Sequence, residues 1–457
     1  MRRSLAIALL ALAWAAVPGR AADAAEDLAL GDHDGDWIGS LELSGVSLSL
    51  VLHIDAGAAP PATLDSPDQG AFGIAAAESA EEAVREGELN LSWPDLGATY
   101  AGRLSADGER IDGEFAQRGT AFALDLVRAD EADLALPARP QEPVPPPPYG
   151  QVPVSVEVPG EGVTLAGTLT LPPGDGPFPG VVLVSGSGAQ DRDESVMGHR
   201  PFLVLSDRLA RAGIAALRHD DRGTGESTGA FDGATSRDFA ADAAAALAAL
   251  AAREKIGPVG FVGHSEGALV AALAVAEREA DADFLVALAG PFVPLAEVVR
   301  GQVEDALRLA GTDAAVTEES LRVQDRILEA ALRDGTEEAV CEAVEGATEG
   351  LPEATRREAS LFCGPWFRTA LRLDPVALHR AADVPTLALF GALDRQVAAG
   401  PNARAARGLP GVEVRVIDGA NHLFQGAGTG AVSEYRGIEE TMREDVMEGV
   451  ATWIHAR

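Results

Sequence analysis

The chain has 457 residues, 47% of them apolar, and a formal net charge of −35. That length exceeds what one hydrophobic core usually supports, so two domains are expected. The charge excludes nucleic acid and anionic membrane surfaces as partners, because both demand basic patches.

In chain order, residues 1–24 come first. They carry Arg2 and Arg3, an apolar run of thirteen residues from Leu5 to Val17, and small residues suited to cleavage near Ala21–Ala24. This is the layout of a signal peptide. The run is shorter than the roughly 20 residues that span a bilayer, and an uncleaved anchor is the alternative. No cysteine precedes Cys341, so a lipid-modified cysteine is not available after the leader. Export as a periplasmic or secreted protein without stable membrane insertion is the expectation.

Residues 25–136 read as β-rich. Val46, Leu48, Leu50, Leu52 and Ile54 fall on alternate positions, as do Leu89, Leu91 and Trp93, and Phe122, Leu124 and Leu126. Period two is the mark of half-buried strands. Only "AAAESAEEAVREG" (75–87) reads as a helix candidate. Strands of this kind close into a small all-β, barrel-like domain, which either holds an apolar ligand or fills with its own side chains. Residues 137–151, "PARPQEPVPPPPYGQ", follow as a proline-rich, semi-rigid linker.

From 152 to 457 the period changes. "VPVSVEVPGEGVTLAGTLTLPPG" (152–174) reads as a hairpin. Apolar strands at 180–186, 214–220, 259–265, 284–290, 386–394 and 412–420 then alternate with helical segments such as 199–212 and 236–253. That alternation predicts an α/β fold, a doubly wound, mostly parallel sheet. Between 290 and 386 the strands stop. Leu295, Val299, Val303, Ala306, Leu307 and Ala310 recur at helical spacing, so a helical cap is inserted over about 292–383. Cys341 and Cys363 both lie there, as a disulfide or as two buried thiols. Without clustered histidines they do not form a zinc site. No metal and no cofactor is expected.

Two Gly-x-Ser-x-Gly pentapeptides compete for a nucleophile: "GESTG" at 225–229 and "GHSEG" at 263–267. Ser265 follows a buried apolar strand and opens directly into a strong helix former, the strand–turn–helix context that lifts a serine above a sheet. Ser227 sits in a polar loop and reads as a loop residue. A serine needs a base and an orienting carboxylate. In open sheets their chain order is serine, acid, histidine. Asp394 ends the strand "TLALFGALD" at the carboxyl edge, ahead of Asp383 and Asp418 as candidates. His422 in "DGANHLF" follows the last strand, whereas His379 falls in the cap and His455 near the chain end. The oxyanion hole calls for two backbone N–H groups. Glu266, after the nucleophile and at a helix N-terminus, supplies one. Ser187 in the loop "SGSGAQDRDE" (185–194) supplies the other. A phosphate cradle at that loop is the competing reading, but it lacks a P-loop lysine and a dinucleotide fingerprint.

The ordered set "LVSGSGAQDRDE", "RHDDRGTGES", "VGHSEGA", "WFRTALRLDP", "LFGALDRQV" and "GANHLFQ" resembles the α/β-hydrolase superfamily, and within it the EstD-like bacterial carboxylesterases, related to the catalytic domain of prolyl oligopeptidases. The resemblance implies that Ser265 is the nucleophile, Asp394 the acid and His422 the base, with Asp221-Arg222-Gly223 a structural turn. One departure is Ala189, where relatives often carry proline. The front region is similar to β-rich modules found ahead of such hydrolases. The function expected is a serine carboxylesterase acting on a small-molecule ester through an acyl-enzyme. A short-peptide serine peptidase, an acyltransferase or thioesterase, and a ligand-binding protein with a hydrolase scaffold are the alternatives.

Overall fold

The computed structural model describes residues 28–457 except 44–45, 68–70, 118–119, 131–137, 278, 310 and 352. The signal peptide expected at 1–24 lies outside the described residues. The described chain divides into two compact units, one up to Pro137 that also takes in Val196–Gly198, and one of Ala138–Ser195 and His199–Arg457.

The first unit is an antiparallel sheet of β1 (Gly35–Leu43), β2 (Val46–Ile54), β3 (Ala62–Ser66), β4 (Ala71–Ala75), β5 (Val84–Arg85), β6 (Glu88–Trp93), β7 (Ala98–Leu104), β8 (Arg110–Gln117), β9 (Thr120–Ala123) and β10 (Leu126–Arg128). Their order is β4-β3-β2-β1-β10-β8-β7-β6-β5, with β9 paired to β8. The sheet curls, so its far strands approach each other. Trp93 Nε1–H donates to the Ile74 carbonyl (3.0 Å) and Ala77 N–H to Ser92 O (2.9 Å). Alternation places Leu48, Leu50, Leu52 and Ile54 inside with Trp37, Leu89, Leu91, Trp93, Tyr100 and Phe115. A Cβ at Gly113 would lie 2.4 Å from the Tyr100 hydroxyl, so only glycine lets that ring pack there.

The helix read at 75–87 does not form. The segment makes one turn, in which Glu82 and Ala83 N–H donate to Ser79 O, and then enters the short strand β5. Its ends are held to the sheet by Ala77 N–H on Ser92 O and by Asn90 N–H on Ala83 O. That leaves too few residues for a helix, so sheet pairing overrides local propensity.

Among the described residues the second unit has eight strands: β11 (Gly150–Val158), β12 (Val163–Leu171), β13 (Phe178–Val184), β14 (Ala215–His219), β15 (Ile256–His264), β16 (Phe284–Leu288), β17 (Thr386–Gly391) and β18 (Val412–Ile417). The order is β11-β12-β14-β13-β15-β16-β17-β18. β11 and β12 form an antiparallel hairpin, and all pairs from β14 across to β18 are parallel. Helices α1 (Pro201–Arg211), α2 (Ser236–Ala251) and α3 (Glu266–Ala276) connect the first parallel strands. Burial on both faces explains runs such as Val181–Val184 and Phe284–Leu288 with no polar interruption. From β13 the chain turns to one side for β14 and returns to the other for β15. This reversal opens a crevice at the carboxyl ends of β13 and β15, where open sheets bind ligands.

Between β16 and β17 lies a helical insertion: α4 (Leu295–Leu309), α5 (Ala314–Ala331), α6 (Glu337–Ala347), α7 (Glu353–Ala359), a 3-10 turn at Ser360–Cys363, α8 (Pro365–Ala370) and α9 (Pro375–Ala382). It has its own core, including Val303, Leu307, Ile327, Leu328, Val340 and Phe367. Cys341 on α6 and Cys363 are joined as a disulfide across 22 residues. α10 (Ala399–Arg407) and α11 (Glu444–Ile454) complete the unit.

The proline-rich stretch is not a free spacer over residues 139–149. Proline supplies no backbone donors, so side chains tie the segment down. Arg139 donates to the carbonyls of Ile438 (2.7 Å) and Arg436 (2.9 Å). Gln141 accepts from Thr441 N–H (2.6 Å) and donates to Met442 O (2.6 Å). Glu142 pairs with Arg200, and the Tyr149 hydroxyl donates to Asp207 (2.8 Å).

Candidate active site

Ser265 stands between β15 and α3 with φ 52° and ψ −122°. This is a strained backbone for a residue with a side chain. The strain is held by tight packing around it. Its N–H donates to Leu288 O on β16 (2.8 Å). A Cβ at Gly263 would lie 2.4 Å from the Gly267 backbone, and one at Gly267 only 2.1 Å from Val184 O. Both glycines of this pentapeptide are therefore required by close approach. The other pentapeptide does something else. Ser227 is buried, donates to Asp220 O (2.8 Å) and accepts from Ala166 N–H (2.9 Å), clamping its loop to β12.

Asp394 follows β17, and its side chain is fully buried. Its Oδ1 accepts the N–H groups of Gln396 (2.8 Å) and Val397 (2.9 Å). Its Oδ2 accepts from His422 Nδ1 at 2.8 Å. His422 lies in a loop built by its neighbour. Asn421 Oδ1 accepts from Leu423 N–H (3.0 Å) and Gln425 N–H (2.9 Å), turning the chain back on itself. Because Nδ1–H is committed to the carboxylate, Nε2 is left as the free acceptor of the ring. The His422 ring lies 4.7 Å, centroid to centroid, from that of His264, the residue before Ser265. Among the described residues no hydrogen bond joins Ser265 Oγ to His422 Nε2. The rejected candidates sit apart. Asp383 caps α9, His379 stacks on Phe292 (4.2 Å), and His455 is exposed.

The loop after β13 is fixed from below. Asp221 accepts from Ser185 Oγ (2.9 Å) and Gln190 N–H (2.9 Å), and its own N–H donates to Gln190 O (3.0 Å). Burial pushes Asp221 up to about 8 against those two hydrogen bonds, with Asp242 and Glu266 adding to the rise. The carboxyl is thus protonated at neutral pH. Arg222 and Asp242 form a two-point pair (2.8 Å each) that holds the Asp221-Arg222-Gly223 turn. Gly186 N–H is committed to Glu194 Oε1 (2.7 Å). Ser187 N–H has no acceptor among the described residues, and neither does Glu266 N–H at the start of α3. Both are available to an anion. Ser185, Gly186, Gly188, Asp221 and Glu266 line a small cavity of about 20 Å³.

Three side chains here gave no readable signal in the sequence. Glu194 Oε1 accepts from His264 Nδ1 (2.9 Å), and His264 Nε2 donates to His422 O (3.0 Å). Glu266 Oε1 accepts from Ser236 on α2 (2.8 Å) and from Trp366 Nε1 on α8 (2.7 Å). Burial raises Glu266 to about 6, with Ser236 and Trp366 opposing.

A serine on a strained strand-to-helix turn, followed by a carboxylate and an imidazole paired at the ends of the last two strands, is the arrangement of an α/β hydrolase, and the chain is similar to members of that superfamily. More particularly, it is similar to esterase EstD of Thermotoga maritima, at 29% identity over 296 residues. The match spans 64% of this chain and 65% of that protein's length. Residues 201–426 match the family model described as serine aminopeptidase, S33. Among solved structures, Est1E from Butyrivibrio proteoclasticus aligns with TM-score 0.39 and 15% identity over 66% of this chain and 98% of that one. The Pyrococcus furiosus esterase Pf2001 aligns with TM-score 0.42 and 15% identity over 70% and 97%.

Proposed function

We propose that this protein hydrolyses carboxylic esters of small molecules through an acyl-enzyme, with Ser265 as nucleophile. The observation that carries the reading is the buried 2.8 Å contact between His422 Nδ1 and Asp394 Oδ2, formed beside the strained turn at Ser265. Asp394 holds the imidazole in the tautomer whose bare Nε2 takes the serine proton. Ser265 Oγ attacks the ester carbonyl, and the N–H groups of Glu266 and Ser187 receive the developing oxyanion. His422 then passes its proton to the leaving alcohol. Water, deprotonated by the same nitrogen, releases the acid and restores the serine. Contacts of this kind tighten when substrate binds, so an open Ser265–His422 contact in the free enzyme fits the scheme.

The helices over 295–382 are read as a cap above this site, and the curled front sheet as a barrel-like structural module filled by its own aromatic side chains. Export is part of the proposal. It is supported by the leader-like residues 1–24 and by the Cys341–Cys363 disulfide, since such bonds persist in oxidising compartments. The serine aminopeptidase description of the matching family model favours short peptides as a second substrate class.

Substituting Ser265→Ala is the test. Turnover of a short nitrophenyl ester should fall by at least about 10³-fold, and labelling by a fluorophosphonate should vanish. Retained activity or labelling in S265A would end the assignment. A binding protein with an inert hydrolase scaffold would fail to label in the wild type.

A further inference from the structure

We propose that Glu194 and His264 are positioning residues for this ester hydrolysis, a buried carboxylate–imidazolium pair that ties the oxyanion loop after β13 to the loop carrying His422. The proposal rests on the function read above. His264 Nδ1 faces the Glu194 carboxylate at 2.9 Å and its Nε2 faces the His422 carbonyl at 3.0 Å. Both partners are acceptors, so both ring nitrogens must carry a proton, and that ring is a cation. Burial works against this charge, but Glu194 and the His422 carbonyl outweigh it, and the pKa of His264 lies above its ordinary value. The groups facing the ring are Glu194 after β13, His422 after β18 and, at longer range, Asp394 after β17.

The same carboxylate oxygen also accepts Gly186 N–H at 2.7 Å. One oxygen therefore joins the residue before Ser187 to the residue before Ser265. Through the imidazolium it reaches the backbone of the base itself. The pieces that must converge on a tetrahedral intermediate are thus held to one another by three consecutive hydrogen bonds: Gly186 to Glu194, Glu194 to His264, and His264 to His422. With Gly186 N–H committed, Ser187 N–H beside it is a free donor among the described residues.

The arrangement is costly, which points away from a role in stability alone. Glu194 has φ 54° and is 3% exposed, and its second oxygen, Oε2, is buried with no partner among the described residues. A strained backbone and an orphaned carboxylate oxygen are each unfavourable. Removing one member of a buried charge pair also leaves the other uncompensated.

The experiment compares wild type, S265A, E194Q, E194D and H264Q on a short nitrophenyl ester across pH. Rates are taken per active site titrated with a fluorophosphonate, so misfolded protein is not counted. Glutamine keeps the shape of Glu194 but not its charge. His264 then holds only one proton at neutral pH, and one of its two bonds loses its hydrogen. The expected result for E194Q is a kcat lowered roughly 10- to 10²-fold at pH 8, the scale of a small misplacement at a reacting centre, with KM little changed. The deficit should shrink on acidification as His264 regains its proton, so the alkaline limb of the wild-type profile moves to lower pH. In H264Q that limb should disappear, and E194D should fall between wild type and E194Q. An E194Q kcat per site equal to wild type, or an alkaline limb unmoved by both substitutions, overturns the proposal while a dead S265A leaves the hydrolase reading standing. An active S265A removes both.

Discussion

Replacing Asp394 by asparagine puts the tautomer argument to a sharp test. Asn and Asp have the same shape, so the outcome depends on which way the amide turns. Oδ1 of Asp394 accepts two backbone N–H groups, from Gln396 at 2.8 Å and Val397 at 2.9 Å. Turning the NH₂ toward them would orphan the buried Val397 donor, at roughly 1–3 kcal/mol, and the half-buried Gln396 donor beside it. The amide oxygen therefore stays there and the NH₂ faces His422. The imidazole must answer with a bare Nδ1, which places its one proton on Nε2. That nitrogen then has no lone pair for the Ser265 proton. The loss expected is about 10⁴ in kcat, or about 5 kcal/mol of transition-state stabilisation, with KM and thermal stability nearly unchanged. Steady-state kinetics on a nitrophenyl ester, beside a thermal melt, measure it. A D394N enzyme retaining more than about a tenth of wild-type kcat would refute the reasoning, because the amide orientation is dictated by bonds independent of substrate.

Two further outcomes concern stability. Asp221 titrates at about 8 in the folded chain against an ordinary 3.8. Between roughly pH 4 and 8 the unfolded state therefore holds fewer protons than the native one, and stability falls as pH rises. D221N imitates the protonated carboxyl, so its melting temperature should decline less than that of wild type from pH 5 to 8; parallel curves would contradict the assignment. Cys341 and Cys363 close a loop of 22 residues, for which chain entropy gives about 3 kcal/mol. The C341S/C363S protein should melt earlier and be cleaved faster within 295–382, and wild type in reductant should behave likewise; a melt insensitive to reductant would argue against a closed bond.

The alternation of apolar strands with helices made the sheet of the second unit legible, because buried strands such as Val181–Val184 and Phe284–Leu288 are runs with no polar residue. Chain order pointed to Asp394 and His422 as neighbours for the same reason: each lies just past a strand end, on one rim. What stayed hidden depends on side chains distant in sequence. "QDRDE" looks like a solvated charged loop, yet Glu194 and Arg192 turn inward onto His264 and Asp220. Nothing local announces a partner 70 residues away. The helix read at 75–87 shows the opposite failure, a local preference overruled by pairing on both sides. Proline density at 139–149 says nothing of the arginine and glutamine that hold the segment.

The bond from Trp366 to Glu266 gives the site an optical readout. The indole is carried by the helical insertion, while its acceptor belongs to the residue whose amide faces the site. Any ligand that levers those helices outward must break this contact, and the carboxyl it strips of a donor adjoins Ser265. Indole emission from position 366 would then register that displacement, so the protein carries its own gauge of how far those helices move.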